Sequence, residues 1–323
     1  MRYFFLEWVN PFEIMMLNSL AKDHPVKQIN RIMRRYKSIN ALMPGEALKK
    51  WHKRTHCAVK LSAIKRDDIA ICNGYSVFPF LDYVASMPCK KVLILRDSVD
   101  ALTRKRRLLG QLAQDADYIE TVWPVFDAIY SFDPADCERY NLRAIEQFLP
   151  FSWQEIQQFQ KESAAENKSC FFVGGYEPIR ADVLRTLTPV LENSGYETDF
   201  YLLDKYNNQD NYPRNCQNKK LSYLDNIKKA KHCSIMLEIN KPEQNGLTLR
   251  ALEALVLNKK LITTNASIKT MALYDPARIF IYNGVDTEGL DAFLQSDLPA
   301  RDEKLLRQYS ADSLLATLQN HHS

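Results

Sequence analysis

Short apolar runs that end in polar or glycine residues recur along the chain, and segments with a helical pattern separate them. In the first half, DIAICNG (68–74) and KKVLILRD (90–97) have the form of strands buried on both faces of a parallel sheet. The segments 75–88 and 101–119 predict helices, and 128–142 predicts a strand, a turn and the start of a helix. This alternation of strands and helices predicts an α/β fold.

The same alternation returns after the polar stretch KESAAENKS (161–169). The two glycines of CFFVGG predict the end of a strand, and Gly195 predicts the end of the helix that follows. The Asn-rich segment 204–220 has few apolar residues and predicts a long loop. The predicted elements of this half are the strands 170–175, 196–203 and 233–239, the helices 179–195 and 221–232, and a helix followed by a strand within 244–265.

The length of the chain favours two domains over one. Its 323 residues are 46% apolar and 25% charged, the composition of a globular protein with a substantial core. We therefore predict two Rossmann-like α/β domains that face a cleft, spanning 1–150 and 151–300, with a hinge near 150–168. The last segment, 301–323, predicts a long helix that packs back on the first domain.

Positive charge is concentrated near the start of the chain. The formal net charge is +4, but residues 24–66 contain twelve Lys and Arg against one acidic residue, Glu46. Such a segment either forms a solvated helical face or binds an anionic membrane surface, a phosphorylated glycolipid or a nucleic acid. Aromatic residues are sparse in it and no recognised nucleic-acid motif occurs. We predict a peripheral membrane contact through 24–66 and no nucleic-acid partner.

The chain lacks the sequence features of a membrane-spanning or secreted protein. No apolar run is long enough to cross a bilayer, and the first residues contain acids and a proline without a signal-peptide cleavage pattern. The seven cysteines form no C-x-x-C pair. We therefore expect reduced cysteines and a location in the cytoplasm, including the inner face of the cytoplasmic membrane.

The segment QNGLTLRALEALVLNKKLITTN (244–265) joins a polar turn with a glycine to an apolar helix and a β-branched strand. In an open α/β sheet, ligands bind outside the carboxyl ends of the strands, where the starts of helices also lie. The N–H groups and partial positive charge of a helix start stabilise a phosphate. Gly246 would allow a phosphate close to the backbone, Thr248 adds a hydroxyl, and Glu253 could reach a sugar hydroxyl. Alternatively, Gly246 only forms a loop and Glu253 faces water.

This segment resembles the donor-binding segment of GT-B glycosyltransferases, which has a glutamate, seven residues, a second glutamate, a Gly/Lys turn and a strand. Glu253 matches the second glutamate, and the resemblance implies that it holds the nucleotide ribose. Asn245 stands at the first position, which in the family touches the donor sugar or its phosphates. This departure leaves the donor identity and the retaining or inverting outcome open.

A second resemblance covers residues 85–150 and 168–285. YSFDPADCERYNL, FFVGGYEPIRADVLRTL and the segment 244–282 are similar to bacterial lipopolysaccharide and capsule biosynthesis proteins assigned to glycosyl transfer. The resemblance implies a donor-side loop in which Gly174 and Gly175 allow close approach of a diphosphate and Arg180 is its charge partner. The alternative is a glycine-ended strand followed by an exposed arginine. With Thr264 and Asn265 at the pocket edge, the predicted donor-binding set is Gly174, Gly175, Arg180, Asn245, Gly246, Leu247, Thr248, Glu253, Thr264 and Asn265.

The acceptor side of such an enzyme needs a base if the product inverts. Asp97, in LILRDSVD, ends a predicted strand of the first domain and is our candidate base. Arg96 and Asp133 are further residues that could take part at the acceptor site. An Arg-Asp pair at a strand end is also often structural.

Three rival interpretations are open to the sequence. DAD at 115–117 has the spacing with which GT-A transferases hold manganese, but it follows a helical run instead of ending a strand, so we predict no metal. LILRDSVDAL resembles a phosphate-binding strand and loop of sulfotransferases, whose phosphosulfate loop is missing from the first residues. A non-catalytic module that binds anionic lipid or polysaccharide would use only the basic segment. No nucleophile elbow, P-loop or dinucleotide-binding glycine motif is present.

We therefore expect a GT-B-like glycosyltransferase that works without a cofactor. It would move a sugar from a nucleotide-sugar donor to a hydroxyl of a glycan or glycolipid acceptor of the bacterial surface. Closure of the two domains would exclude water and favour transfer over hydrolysis.

Overall fold

The computed structural model describes residues 1–161, 167–205, 212–240 and 246–320. The chain forms two compact units, Met1–Glu146 and Gln147–Ser323. Each unit is built on one six-stranded sheet, and every pairing between described strands is parallel. The predicted α/β fold is confirmed. The predicted division into 1–150, 151–300 and 301–323 stays a prediction.

The first unit has the sheet order β2-β1-β3-β4-β5-β6. Its strands are β1 (Tyr3–Leu6), β2 (Val26–Ile29), β3 (Ile69–Asn73), β4 (Lys90–Leu95), β5 (Ala128–Ser131) and β6 (Arg143–Ala144). Its helices are α1 (Pro11–Leu20), α2 (Tyr36–Ala41), α3 (Glu46–Lys60), α4 (Leu81–Ala85), α5 (Val99–Leu108), α6 (Tyr118–Val122) and α7 (Pro134–Tyr140). After β1 and β2 the chain returns to the other side of β1, so the strand order reverses between β1 and β3.

The second unit has the sheet order β12-β11-β10-β7-β8-β9. Its strands are β7 (Asn167–Gly175), β8 (Glu197–Leu203), β9 (Cys216–Gln217), β10 (Cys233–Glu238), β11 (Lys260–Thr263) and β12 (Ile279–Ile281). Its helices are α8 (Trp153–Lys161), α9 (Pro178–Asn193), α10 (Tyr223–His232), α11 (Leu249–Val256), α12 (Leu290–Gln295), α13 (Glu303–Gln308) and α14 (Ala311–Asn320). Here the strand order reverses between β7 and β10.

Apolar strands account for the stability of both sheets. All five residues of β3 are buried, as are the last four of β4, and helices pack against both groups. In the second unit, α9 buries Ala181, Leu184, Leu187 and Leu191 against β7, β8 and β10. These buried apolar faces hold the carboxyl ends of the strands in fixed positions, and the candidate site is built there.

Two predicted helices are shorter in the structure. The helix predicted over 101–119 ends at Leu108, and Gly110 follows with a φ of 63°, a conformation that glycine adopts readily. The predicted C-terminal helix is broken into α13 and α14. At the break, the carbonyl of Tyr309 accepts a hydrogen bond from the N–H of Leu149, and the N–H of Ala311 donates to Phe151. The predicted packing of this segment on the first domain stays a prediction.

Candidate functional site

The strand order of the second unit reverses between β7 and β10, and this is where open α/β sheets bind ligands. Gly174 and Gly175 are the last two residues of β7. A Cβ on Gly174 would lie 2.8 Å from the ring of Phe172, so a side chain at Gly174 would collide with its own strand. A Cβ on Gly175 would have no atom within 4 Å, and the backbone there is open to a ligand.

Arg180 connects the two strands at this point. Its Nε donates to the carbonyl of Ile239, which follows β10, and its Nη1 donates to the carbonyl of Gly175, both at 3.0 Å. Partial burial lowers the pKa of Arg180, but a guanidinium stays protonated. No described residue accepts a hydrogen bond from its Nη2. The predicted donor-side arginine therefore lies at the reversal point, where its charge is held by backbone carbonyls.

The start of α11 lies next to the end of β10. Thr248 caps this helix, because its Oγ1 accepts hydrogen bonds from the N–H groups of Arg250 (3.1 Å) and Ala251 (3.4 Å). No described residue accepts a hydrogen bond from the N–H of Leu247 or Thr248. The backbone N–H groups, and not the Thr248 hydroxyl, are therefore what this turn offers to an anion.

Glu238, the last residue of β10, is not among the site residues predicted from the sequence. Its side chain is 4% exposed and accepts hydrogen bonds from the hydroxyls of Thr248 and Thr263. Burial raises the pKa of Glu238, while the two hydroxyls and the charge of Arg250 oppose that rise. The carboxylate therefore holds the capping residue of α11 against β11. An acidic residue directly after the apolar run SIML was the available signal.

Thr264 and Asn265 complete the connection between β10, β11 and the glycine turn. The Oγ1 of Thr264 accepts a hydrogen bond from the N–H of Asn240 at 2.9 Å. The Nδ2 of Asn265, a buried residue, donates to the carbonyl of Gly246 at 3.4 Å. Both predicted residues therefore lie at this edge and shape the turn that Gly246 belongs to.

Glu253 is 2% exposed and forms a buried ion pair. Its Oε2 lies 3.3 Å from Nη1 of Arg250, which also donates to Oδ1 of Asn226 at 3.0 Å. Burial raises the pKa of Glu253, and the Arg250 charge opposes this. The side chain is thus already engaged inside the unit, and the predicted ribose contact stays a prediction. Asn245, the other position of the family pattern, lies outside the described residues.

The first unit has its own polar cluster where its strand order reverses, between β1 and β3. Glu13, on α1, has no exposed surface. It accepts hydrogen bonds from Nδ2 of Asn73 (2.8 Å), the hydroxyl of Tyr75 (3.0 Å) and the N–H of Asn10 (3.0 Å). Burial raises the pKa of Glu13, and Nδ2 of Asn10 also donates to the Tyr75 hydroxyl at 2.7 Å. Glu13 and Asn73 are sixty positions apart, so no local sequence pattern indicates that they meet.

The candidate acceptor-side residues have different surroundings. Asp97 is exposed just after β4, and no described residue hydrogen-bonds to its carboxylate. Burial is the main cause of the raised pKa of Tyr75, and the charge of Asp97 adds only slightly to it. The guanidinium of Arg96 lies over the ring of Phe12, 4.5 Å from its centroid. Asp133 caps α7, since its Oδ1 accepts from the N–H of Ala135 at 2.9 Å. Asp133 therefore has a structural role as a helix cap, and the predicted role of Asp97 as a base stays a prediction.

The DAD motif has a structural role at Asp117. Its side chain caps α6 by accepting from the N–H of Ile119 at 2.7 Å, and the hydroxyl of Tyr140 donates to it at 2.9 Å. No group of three or more His, Cys, Asp and Glu within the described ranges could hold a metal ion. Among the same residues, no helix is long and apolar enough to cross a membrane.

No protein-family model matches the chain, and no curated protein matches its sequence. Solved structures do match. A UDP-forming α,α-trehalose-phosphate synthase from Burkholderia xenovorans, in complex with glucose-6-phosphate, aligns with a TM-score of 0.62 at 12% identity, over 99% of this chain and 100% of that one. The chain has the GT-B fold.

Two further structures support this assignment of the GT-B fold. A trehalose-6-phosphate synthase from Burkholderia multivorans aligns with a TM-score of 0.59 at 12% identity, over 99% of this chain and 98% of that one. The Escherichia coli protein bound with UDP-2-fluoro glucose aligns with a TM-score of 0.54 at 13% identity, over 99% of this chain and 96% of that one. At such identities the similarity establishes the GT-B fold, and function has to be argued from the site.

Proposed function

We propose that this GT-B protein is a glycosyltransferase that takes its sugar from a nucleotide diphosphate donor bound to the second unit. The observation that carries the proposal is Arg180, whose guanidinium joins the carboxyl ends of β7 and β10, while the start of α11 is tied to Glu238 at the end of β10. A departing nucleoside diphosphate gains negative charge. An arginine and a helix start stabilise that charge without the aid of a metal.

A UDP-sugar is the donor we expect. The Burkholderia neighbours are described as UDP-forming, and the E. coli neighbour is bound with UDP-2-fluoro glucose. Gly175 leaves open space beside the backbone for the diphosphate. Glu253 is our candidate for a ribose contact, which would require its carboxylate to be shared with Arg250.

For the acceptor, we propose a hydroxyl of a bacterial surface glycan or glycolipid, in the cytoplasm at the inner face of the membrane. The resemblance of 85–150 and 168–285 to lipopolysaccharide and capsule biosynthesis proteins supports this, as does the basic segment 24–66. A sugar phosphate is the second candidate, because the B. xenovorans neighbour is in complex with glucose-6-phosphate. Asp97 would be the base of an inverting reaction, and Glu13 would position the hydroxyl of Tyr75.

A thermal-shift panel with UDP, GDP, CDP, CMP and adenosine 3′,5′-bisphosphate tests the proposal. A ligand at a hundred times its dissociation constant stabilises the fold by about 2.7 kcal/mol, so a single nucleoside diphosphate should raise the melting temperature by several degrees. Stabilisation by UDP is the expected result. Stabilisation by adenosine 3′,5′-bisphosphate alone would support a sulfotransferase, and no stabilisation by any nucleotide would contradict the donor site.

Two arginines on α9 provide a matched comparison. Arg180→Gln removes the charge at the reversal point and should weaken UDP binding by about a hundredfold, because a charge-assisted contact with phosphate contributes about 2 to 3 kcal/mol. Arg185→Gln removes an exposed charge that pairs with Asp182 at 2.6 Å and should leave UDP affinity unchanged. Isothermal titration calorimetry measures both. Equal affinities for the two variants would place the diphosphate elsewhere.

A further inference from the structure

Helix α3 exposes large apolar side chains on its outer face. Trp51 is 60% exposed and Val59 is 69% exposed, and Leu48 is also exposed. These residues are three and eight positions apart, a spacing that places them on one side of a helix. Leu42, 84% exposed, lies just before the helix. Apolar side chains clustered in this way mark an interaction surface, whereas single exposed ones need no explanation.

Positive charge lies on the other flank of the exposed side of this helix. At about 100° per residue, Arg54 lies about 60° and Lys50 about 100° around the helix from Trp51, on the side away from Leu48 and Val59. Lys50 and Arg54 are exposed on the same helix, and neither forms an ion pair with a described residue. Lys49 and Lys53, in contrast, pair with Glu46 at 3.1 Å and with Asp82 at 2.8 Å. We define the α3 face as Leu48, Trp51 and Val59 together with Lys50 and Arg54.

The inner side of α3 is firmly packed, so the α3 face is held outward by the fold. Cys57 has no exposed surface, and Nε2 of His56 is 2.7 Å from the carbonyl of Ile32. The ring of His52 stacks on Tyr36 with centroids 5.5 Å apart. The surface is thus preformed, and docking would not have to order it first.

We propose that the α3 face docks on a lipid bilayer that contains anionic lipids. An amphipathic helix lies in the membrane interface when its apolar side chains enter the acyl boundary and its Lys and Arg contact the anionic headgroups. Both halves of that pattern are present here. A second copy of the chain would bring like charges together, and a nucleic acid would leave the apolar stripe exposed to water.

The proposal specifies the membrane contact that is part of the proposed function. It rests on the proposed function for that contact and not for the donor site. Its test uses no nucleotide, so that the two can fail separately. The test measures co-sedimentation of the full chain with vesicles of phosphatidylcholine plus phosphatidylglycerol, against vesicles of phosphatidylcholine alone. We expect binding to the anionic vesicles only, and partial loss of that binding at high salt.

Two variants separate the halves of the α3 face, and each has a control in the second unit. The double variant Lys50→Gln with Arg54→Gln should weaken vesicle binding about thirtyfold, and the triple variant Leu48→Ser, Trp51→Ser and Val59→Ser about tenfold or more. The controls are Lys304→Gln with Arg307→Gln for charge, and Leu224→Ser with Val285→Ser for exposed apolar residues. Both controls should bind like the unchanged protein.

Four results would overturn the proposal. The first two are equal vesicle binding by the α3-face variants and their controls, and no binding of the unchanged protein to anionic vesicles. The third is the formation of concentration-dependent dimers that the triple variant abolishes. The fourth is displacement of the vesicles by duplex DNA, together with vesicle binding that the triple variant retains. Because every changed residue of the α3 face is exposed, the melting temperature of the variants should stay close to that of the unchanged protein. A vesicle-binding loss with unchanged melting temperature therefore reports the surface itself.

Discussion

Both sheets are open and parallel, but counted from the first strand of each unit their strand orders differ, 2-1-3-4-5-6 in the first and 3-2-1-4-5-6 in the second. The side chains held where the strand order reverses differ as well. In the second unit a cation, Arg180, is held between the carbonyls of Gly175 and Ile239. In the first unit a carboxylate, Glu13, is held between Asn73 and Tyr75. We propose that the cation suits an anionic donor in the second unit, and that the carboxylate and its partners suit a hydroxyl compound in the first. This contrast is the reason for placing the donor and the acceptor as we propose.

Both reversal points are stabilised by buried carboxylates, and the largest effect should come from removing Glu238. Glu238→Ala leaves the hydroxyls of Thr248 and Thr263 without their acceptor inside the protein. We expect a loss of about 3 kcal/mol in the free energy of unfolding of the second unit, measured by urea denaturation. UDP affinity should fall as well, because the start of α11 loses its connection to β10.

Glu238→Gln is the control for this change. Glutamine keeps the volume and one acceptor oxygen, so the loss should be about 1 kcal/mol. If Glu238→Ala and Glu238→Gln unfold at the same urea concentration, the side chain of Glu238 does not hold Thr248, the capping residue of α11, against β11. In that case the arrangement of α11 would depend on its apolar contacts alone.

These residues also show what the sequence could and could not predict. The apolar runs of β3, β4, β7 and β10 were predictable because a strand buried on both faces leaves a local pattern. Arg180 was proposed from the resemblance of FVGGYEPIR to a known family, and its role at the donor site stays a prediction. Glu13 was not found, because its partners Asn73 and Tyr75 are brought to it only by the sheet.

The errors in helix length have a similar origin. The segment that forms α13 and α14 has a continuous helical pattern, but backbone hydrogen bonds with Leu149 and Phe151, far away in the chain, interrupt it. The strands β1 and β2 have only four residues each, and no strand was predicted in the part of the chain that contains them. Local signals predicted most elements, whereas interactions between distant segments decided where some of them end.

In the first unit, Glu13→Ala removes the buried carboxylate at the point where the strand order reverses. Asn73, Tyr75 and the N–H of Asn10 would lose a shared acceptor, and we expect a loss of about 2 kcal/mol in the free energy of unfolding of this unit. Glu13→Gln, which keeps one acceptor, should cost about 1 kcal/mol. UDP affinity, measured by calorimetry, should not change in either variant. Weaker UDP binding in both would contradict the assignment of the donor to the second unit alone.

The smallest expected effect concerns the carboxylates that follow β4 and β5 in the first unit, and it tests whether their negative charges repel one another. Asp136 accepts a hydrogen bond from the N–H of Val99 at 2.9 Å. Burial and, after it, the charges of Asp133 and Asp100 raise the pKa of Asp136 to about 6, against the opposing effects of the Val99 N–H and the Arg139 charge. Because the folded-state pKa lies above the unfolded value near 3.9, folding favours the protonated form. Asp136 therefore lowers stability as the pH rises from about 4 to about 6.

Asp136→Asn removes this titration and keeps an oxygen that can accept from the Val99 N–H. We expect the variant to be more stable than the unchanged protein by about 1 kcal/mol at neutral pH, with the difference vanishing below pH about 4. Urea denaturation across that range measures it, and Asp100→Asn, at an exposed neighbour, should show a much smaller trend. A difference that does not vary with pH would mean that Asp136 is ionised at no extra cost. The carboxylates around β4 and β5 would then not repel one another, and the contrast between the two edges would depend on Glu13 alone.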